Sequence, residues 1–198
     1  MPVASHLLHS IAALLLLAPV VRTQEPVRTV VLAHANVIDG AGDTPQRDVT
    51  VVRSGGKIER ITKGDVSVAG ALVIDLHGRW VLPGLIDAHT HISSLASAKR
   101  ALESGVTTVR SASTTRITQE IVNFTELGFT PMEAIRAGTS LAADCLGIGA
   151  KTGRLTAGLE ADLIVVEGNP LDDIRIIQDV TIVISNGRVA LNRLPFGK

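Results

Sequence analysis

The chain has 198 residues, of which 45% are hydrophobic and only 2% aromatic, so Val, Ile, Leu and Ala must fill its core. Its 19 basic and 19 acidic residues give a formal net charge of zero, and no basic run suggests nucleic acid or anionic lipid as a partner. The single cysteine, Cys145, excludes a disulfide bond within the chain and predicts a free, packed thiol.

An apolar run, Ile11–Pro19, lies within the first 24 residues. It fits the core of a signal peptide, which needs roughly 7–15 apolar residues, better than a membrane-spanning helix, which needs about 20. We therefore predict that residues 1–24 are a signal peptide and that the protein is exported, to the periplasm or beyond the cell. The alternative is an uncleaved membrane anchor, because the first ten residues contain no Lys or Arg and no A-x-A site precedes Gln24.

Strand-forming sequence dominates both ends of the remaining chain. On the N-terminal side, runs rich in Val and Ile cover Thr29–Asp39, Asp48–Thr62 and Ala71–Gly84. On the C-terminal side, similar runs cover Ala161–Gly168 and Val180–Leu191. This composition, broken by Gly and Asn, predicts β-strands joined by short turns.

Two turn motifs predict β-hairpins within these strand segments. The sequence SGG, at Ser54–Gly56, separates two strand-like runs, and Asn186-Gly187 separates two more. Asn and Gly tolerate the positive φ that both central residues of a type I′ turn require. We expect a tight antiparallel hairpin at each motif.

The middle of the chain has helical patterns instead. Ser94–Gly105 predicts a helix that stops at a glycine, and Val106–Arg110 predicts a short strand after it. A second helix is predicted at Thr118–Leu127. A third is predicted at Thr130–Gly147, because it opens with the capping-box sequence TPME and carries apolar residues along one helical face.

Two histidines, His89 and His91, end the apolar run PGLIDAHTHI. On a strand, residues i and i+2 point to the same side, so the two imidazoles project together, about 7 Å apart along the strand axis. Imidazoles placed in this way can hold one divalent ion. Asp87 lies on the same face and is a candidate, though strained, third ligand. An H-x-H pattern by itself also occurs where surface or core histidines bind nothing.

The run Pro83–Ile92 resembles the first barrel strand of the metal-dependent amidohydrolase superfamily, in which P-G-x-I-D-x-H-x-H is a specific signature. The sequence ALESGVTTVRS resembles the helix and strand that follow in that family, and residues 128–174 resemble its C-terminal region. The similarity is to the imidazolonepropionase-like and Xaa-Pro dipeptidase-like branches. It extends over nearly all of Thr29–Leu191.

The resemblance implies an α+β fold, with a small β-sandwich built from the N- and C-terminal segments beside a (β/α)8 barrel. We therefore expect a composite sandwich of residues 27–82 and 154–193, and a barrel part at residues 83–153. A complete barrel needs about 200–250 residues, so the barrel part here is an incomplete remnant. Its unpaired strand edges predict self-association.

The resemblance also implies that His89 and His91 are two metal ligands, zinc foremost, in a hydrolase that cleaves carbon–nitrogen bonds with a metal-activated water. The family adds a strand lysine or glutamate, two further histidines and an aspartate base. Lys99 and Asp144 fall in predicted helices and Lys151 in a loop, so none matches those positions. His34 and His77, the only other histidines after the leader, lie in the sandwich part. No catalytic residue is identifiable.

Three hypotheses therefore stay open. The first is a hydrolase of a small amide, cyclic amide or dipeptide, with its catalytic set incomplete in this chain. The second is a non-catalytic β-sandwich or binding module. The third is an internal deletion in the gene sequence, because SASTTRITQ, at residues 111–119, joins the second predicted barrel strand directly to the last helices. The residues that would contact the substrate are absent from the chain, so its identity stays open.

Overall fold

The computed structural model describes residues 28–90, 92–111 and 117–194. The predicted signal peptide, residues 1–24, lies outside these ranges, and so do His91 and most of the junction at residues 111–119. Within the described ranges, every helix is too short or too polar to cross a bilayer. Export therefore stays a prediction.

The chain begins with five strands. They are β1 (Val30–Val37), β2 (Gln46–Ser54), β3 (Lys57–Lys63), β4 (Leu72–Asp75) and β5 (Trp80–Pro83). The first three form an antiparallel meander, whereas β4 and β5 both run parallel to β1, one along its first half and the other along its second.

The middle of the chain contains two strands and four helices, one helix more than the sequence predicts. Its elements are β6 (Leu85–Thr90), α1 (Leu95–Glu103), β7 (Val106–Ser111), α2 (Ile117–Glu126), α3 (Pro131–Ala137) and α4 (Ser140–Cys145). Strands β6 and β7 pair in parallel and form a small sheet of their own.

The chain returns to the large sheet at its end. The last elements are β8 (Leu163–Val166), a 3-10 helix at Ile174–Gln178, β9 (Val180–Ser185) and β10 (Arg188–Asn192). The strand order is β10-β9-β8-β5-β1-β2-β3, with β4 also paired to β1. The N- and C-terminal strands thus meet in one continuous mixed sheet, and with the helices they make an α+β fold. The division into sandwich and barrel domains stays a prediction.

The two faces of the large sheet bury two separate apolar clusters. Along β8, Leu163 and Val165 point into one cluster, while Ile164 and Val166 point into the other. The first cluster lies between the N- and C-terminal strands, and the second lies between the sheet and the helical elements. Burial on both faces explains why β8 has a continuous apolar sequence instead of an alternating one.

The two predicted hairpin turns are present and contact each other. Gly55 and Gly56 join β2 to β3, and Asn186 and Gly187 join β9 to β10, all four with positive φ. A Cβ added to Gly187 would lie 2.2 Å from the Cα of Gly56. Glycine is therefore required at this contact for its small size as well as for its backbone conformation.

The third predicted helix, Thr130–Gly147, is divided into α3 and α4. Its predicted capping box is confirmed: the Thr130 backbone N–H donates to Glu133 Oε2 at 2.8 Å, and the Glu133 N–H donates to Thr130 Oγ1 at 3.3 Å. The break follows Gly138, where a Cβ would lie 2.6 Å from the Ile121 side chain. Close packing against α2 thus turns the chain where the local sequence favours a continuous helix.

The prediction of a packed thiol at Cys145 was wrong, since this residue is exposed. Cys145 is the last residue of α4, and that helix turns Ala142 and Ala143 toward the protein interior. Cys145 lies on the opposite, solvent-facing side of α4 together with Leu141 and Asp144.

Arg53, on β2, is a buried cation. It lies opposite Val30 of β1 and Ile58 of β3, and it is only 3% exposed. In the part of the chain that the structure describes, its Nε and Nη1 atoms have no hydrogen-bond partner. Burial lowers the pKa of the guanidinium, because the charged form is poorly solvated there.

We predict that Arg53→Met raises the free energy of unfolding by roughly 1–2 kcal/mol, because an apolar side chain of similar length removes an unpaired buried charge. Urea denaturation measures this change. Arg60→Met is the matched control: Arg60 lies on the neighbouring strand, is half exposed and pairs with Glu59, so its replacement should change stability by less than about 0.5 kcal/mol. A loss of stability in Arg53→Met would contradict the prediction.

Candidate metal centre

The apolar run that the sequence predicts as one strand is two strands in different sheets. The chain leaves the large sheet after Pro83 and enters the small sheet at Leu85. Gly84 lies between them, and its N–H donates to the backbone oxygen of Asp162 at 2.9 Å. A Cβ on Gly84 would lie 2.2 Å from Thr107 Oγ1 on β7. Glycine at this position therefore lets the chain cross between the two sheets.

Strand β6 is held on both of its edges. One edge pairs with β7, and on the other the Ile86 N–H donates to the backbone oxygen of Gly138 at 2.9 Å, between α3 and α4. Leu85, Ile86 and Asp87 are buried. The body of the strand is thus fixed in position, and only its C-terminal end reaches the surface.

His89 lies at that exposed end. Its backbone N–H donates to Asp87 Oδ1 at 3.0 Å, and Asp87 is only 6% exposed. Because β6 and β7 are parallel, their C-terminal ends lie at the same edge of the small sheet. The structure thus places His89 at the C-terminal end of a parallel strand, as the sequence predicts, while His91 lies outside the described residues.

The ligand set around His89 is small. Across residues 28–90, 92–111 and 117–194, no group of three or more His, Cys, Asp or Glu side chains is arranged to hold a metal ion. One carboxylate oxygen of Asp87 accepts the amide N–H of His89. A catalytic zinc normally has three protein ligands and one open position. The described residues do not fit that requirement, so we assign no catalytic step to a metal in this chain.

The charged residues that the sequence analysis set aside have structural contacts. Lys99 lies on α1 and faces Glu103 at 3.7 Å, and Lys151 lies in a loop. Asp144, on α4, accepts two hydrogen bonds from Arg154, at 3.0 and 2.6 Å. Those bonds hold the pKa of the Asp144 carboxyl below its usual value. These contacts lie outside β6 and give no side chain that would act as a base beside His89.

Asp162 positions the start of β6, and the sequence analysis did not identify it. Its buried carboxylate accepts from Thr152 Oγ1 at 3.0 Å and from the Asn186 N–H at 2.8 Å. Its backbone oxygen accepts the N–H of Gly84. The residue therefore joins β8, the last hairpin and the strand that carries His89. A single aspartate in an apolar run carries no local signal of such a role.

The sequence model of the Amidohydrolase family matches residues 111–190. This match supports the amidohydrolase superfamily as the family that the chain resembles. It is 41% identical over 97 residues to an adenine deaminase from Kosmotoga olearia, a match that covers 46% of this chain and 16% of the relative. It is also 49% identical over 53 residues to an ochratoxinase from Aspergillus niger, covering 26% of this chain and 11% of that enzyme.

The chain therefore spans about a sixth, or less, of the length of these two curated relatives. Among solved structures, a Xaa-Pro dipeptidase with methionine bound in its active site matches with a TM-score of 0.70 and 15% identity. That match covers 81% of this chain and 99% of the dipeptidase chain. At 15% identity, the similarity between this chain and the dipeptidase is evidence for a shared fold and for nothing more.

We predict that Gly84→Ala destabilises the protein by about 2–3 kcal/mol, because the new methyl group would overlap the Thr107 side chain. Chemical denaturation measures the loss. Gly42→Ala is the matched control, since its nearest neighbour would be 3.9 Å away.

The double variant Gly84→Ala/Thr107→Gly tests whether overlap with the Thr107 side chain causes the loss of stability. If the overlap is responsible, the double variant should lose less stability than the sum of the two single variants. Additive losses would mean that Gly84 is required for another reason.

Proposed function

We propose that this chain comes from a hydrolase that cleaves carbon–nitrogen bonds in small amides, cyclic amides or dipeptides, and that His89 and His91 are two of its metal ligands. The observation that carries the proposal is the position of His89 at the exposed C-terminal end of β6, paired in parallel with β7. In barrel enzymes the chemistry takes place at the C-terminal ends of parallel strands. We interpret β6 and β7 as the first two strands of such a barrel.

The relatives support the reaction class. An adenine deaminase and an ochratoxinase share sequence with this chain, and a Xaa-Pro dipeptidase shares its fold. In this superfamily a bound divalent ion supplies an activated water, and zinc suits paired imidazoles. The imidazolonepropionase-like and Xaa-Pro dipeptidase-like branches remain our proposal for the closest group.

We further propose that the 198-residue chain is catalytically incomplete by itself. His89 is the one proposed ligand within the described residues, and the sequence offers no match for the strand lysine, the two later histidines or the aspartate base. The remaining groups must come from sequence outside this chain or from another copy. Strand β7 supports association, since among the described strands it pairs only with β6 and its Val109 is 44% exposed.

A non-catalytic module is the second candidate. The observation that favours it is the contrast between the two sheets. The eight-stranded sheet has two buried clusters, whereas the described part of the small sheet has two strands and no three-ligand site. In this case the chain would keep the large sheet as a folded platform and would have no reaction to catalyse.

Metal analysis of the purified chain tests the ligand assignment. We expect weak zinc binding, below one ion per chain after dialysis, that falls further in His89→Ala and is unchanged in His77→Ala. His77 is the matched control because it is an exposed histidine in the turn after β4, a strand of the large sheet, whereas β6 belongs to the small sheet. Equal zinc binding by the wild-type chain and His89→Ala would contradict the ligand role. One or two tightly held ions and chelator-sensitive cleavage of a dipeptide would contradict catalytic incompleteness.

The mass of the protein isolated from its own source separates the two candidate functions. If the hydrolase proposal holds, native mass spectrometry should give a chain well above 20.8 kDa, with peptides inserted between Arg110 and Gln119, or an assembly of several chains. A monomer at or below 20.8 kDa, without such peptides, would favour the non-catalytic module.

A further inference from the structure

His34 lies between two carboxylates that come from distant parts of the chain. Its Nδ1 is 3.0 Å from Asp75 Oδ2 at the end of β4, and its Nε2 is 3.3 Å from Asp65 Oδ1 in the loop after β3. His34 has a φ of 51° within a β-bulge of β1, where the pairing register with β2 shifts between Leu32 and Ala35. The bulge turns the imidazole toward both acids.

This geometry requires the charged imidazole. A neutral imidazole has one N–H donor and one acceptor nitrogen, whereas the imidazolium donates from both nitrogens. Both ring nitrogens of His34 face carboxylate oxygens, which only accept. Loss of the proton would therefore place a nitrogen lone pair against one of the carboxylates, and that contact would be repulsive.

The neighbouring charges favour protonation. Asp48 on β2 adds a third negative charge near His34. His77, in the turn after β4, contacts the other oxygen of Asp75, with Nδ1 at 3.3 Å and its backbone N–H at 2.8 Å. Asp75, Asp65 and Asp48 raise the pKa of His34, chiefly through the hydrogen bond with Asp75 and then through the charge of that carboxylate.

The two contacts differ in strength. The Asp75 contact is shorter, and Asp75 is held in place by the backbone N–H of His77. The Asp65 side chain is 86% exposed, and among the described ion pairs its only partner is His34. Among the described ion pairs, the Asp65 contact is the one that joins the loop at residues 64–71 to β1, while Gly64 at the start of the loop accepts a hydrogen bond from Thr50 Oγ1 on β2 at 2.8 Å. Asp65 is the contact that a neutral His34 would lose.

We propose that His34, Asp65 and Asp75 form a proton-controlled switch that ties the loop at residues 64–71 to β1 and β4 when His34 is charged and releases Asp65 when it is neutral. The direction of the pKa change determines whether the switch closes at low or at high pH. Because folding raises the pKa of His34, the switch is fully closed below about pH 6.5, the usual value for histidine, and opens as the pH rises through the folded-state pKa.

Histidine titration by NMR on the full chain tests the electrostatic part. We expect the His34 pKa in the wild-type chain to lie above that of a model peptide. Asp65→Asn should lower it, and Asp75→Asn should lower it further. Asp43→Asn is the matched control: Asp43 is an exposed aspartate that pairs with Arg136, and its replacement should leave the titration unchanged. A His34 pKa that does not respond to Asp65→Asn would overturn the proposal.

Hydrogen exchange tests the release of the loop. Between about pH 5.5 and about pH 8.5, the protection factors of the Ala71 and Leu72 amides, which donate to the backbone oxygens of Val68 and Thr29, should fall severalfold in the wild-type chain, while those of β1 stay constant. In His34→Asn, which tolerates the positive φ and carries no charge, protection of the loop should be low at every pH. Constant protection in the wild-type chain, or the same pH-dependent fall in His34→Asn, would overturn the proposal.

Discussion

The pairing of β5 with β8 is the contact on which the rest of this structure depends. It joins Trp80 to Val166 and Pro83 to Leu163, and so connects the two ends of a chain whose intervening residues contain every α-helix described. Because β5 also pairs with β1, and β8 with β9, this contact unites the two sets of strands in one sheet. Residues that alternate along β5 and β8 line both apolar clusters, so loss of this pairing would expose the two cores together.

The candidate metal-ligand strand takes its position from the same contact. The backbone oxygen of Asp162, just before β8, accepts the N–H of Gly84, just after β5. The carboxylate of Asp162 also holds the turn at Asn186. The direction in which β6 leaves the large sheet is therefore set by residues that are far away in sequence. His89 occupies the end of this strand, so its location is a consequence of the pairing of β5 with β8.

The position of His89 could be predicted from local sequence, whereas the set of side chains around it depends on tertiary structure. The alternation of side chains along a strand places His89 at an accessible end, and the motif around it resembles a known metal-binding signature. Whether three ligands converge depends on neighbouring strands, and the described residues supply only β7 beside β6. Sequence similarity therefore points to the amidohydrolase superfamily, whereas the described residues contain no complete three-ligand metal site.

The sequence by itself determined the strand segments, the two glycine-containing hairpins and the capping box at Thr130, because each depends on residues within a few positions of one another. Tertiary structure decided the crossing at Gly84, the division of the third helix after Gly138 and the exposure of Cys145. It also decided that Arg53 is buried with its Nε and Nη1 unpaired among the described residues, and that His34 lies between two carboxylates. These features arise from close approach and charge contacts between segments distant in sequence, which local propensity does not encode.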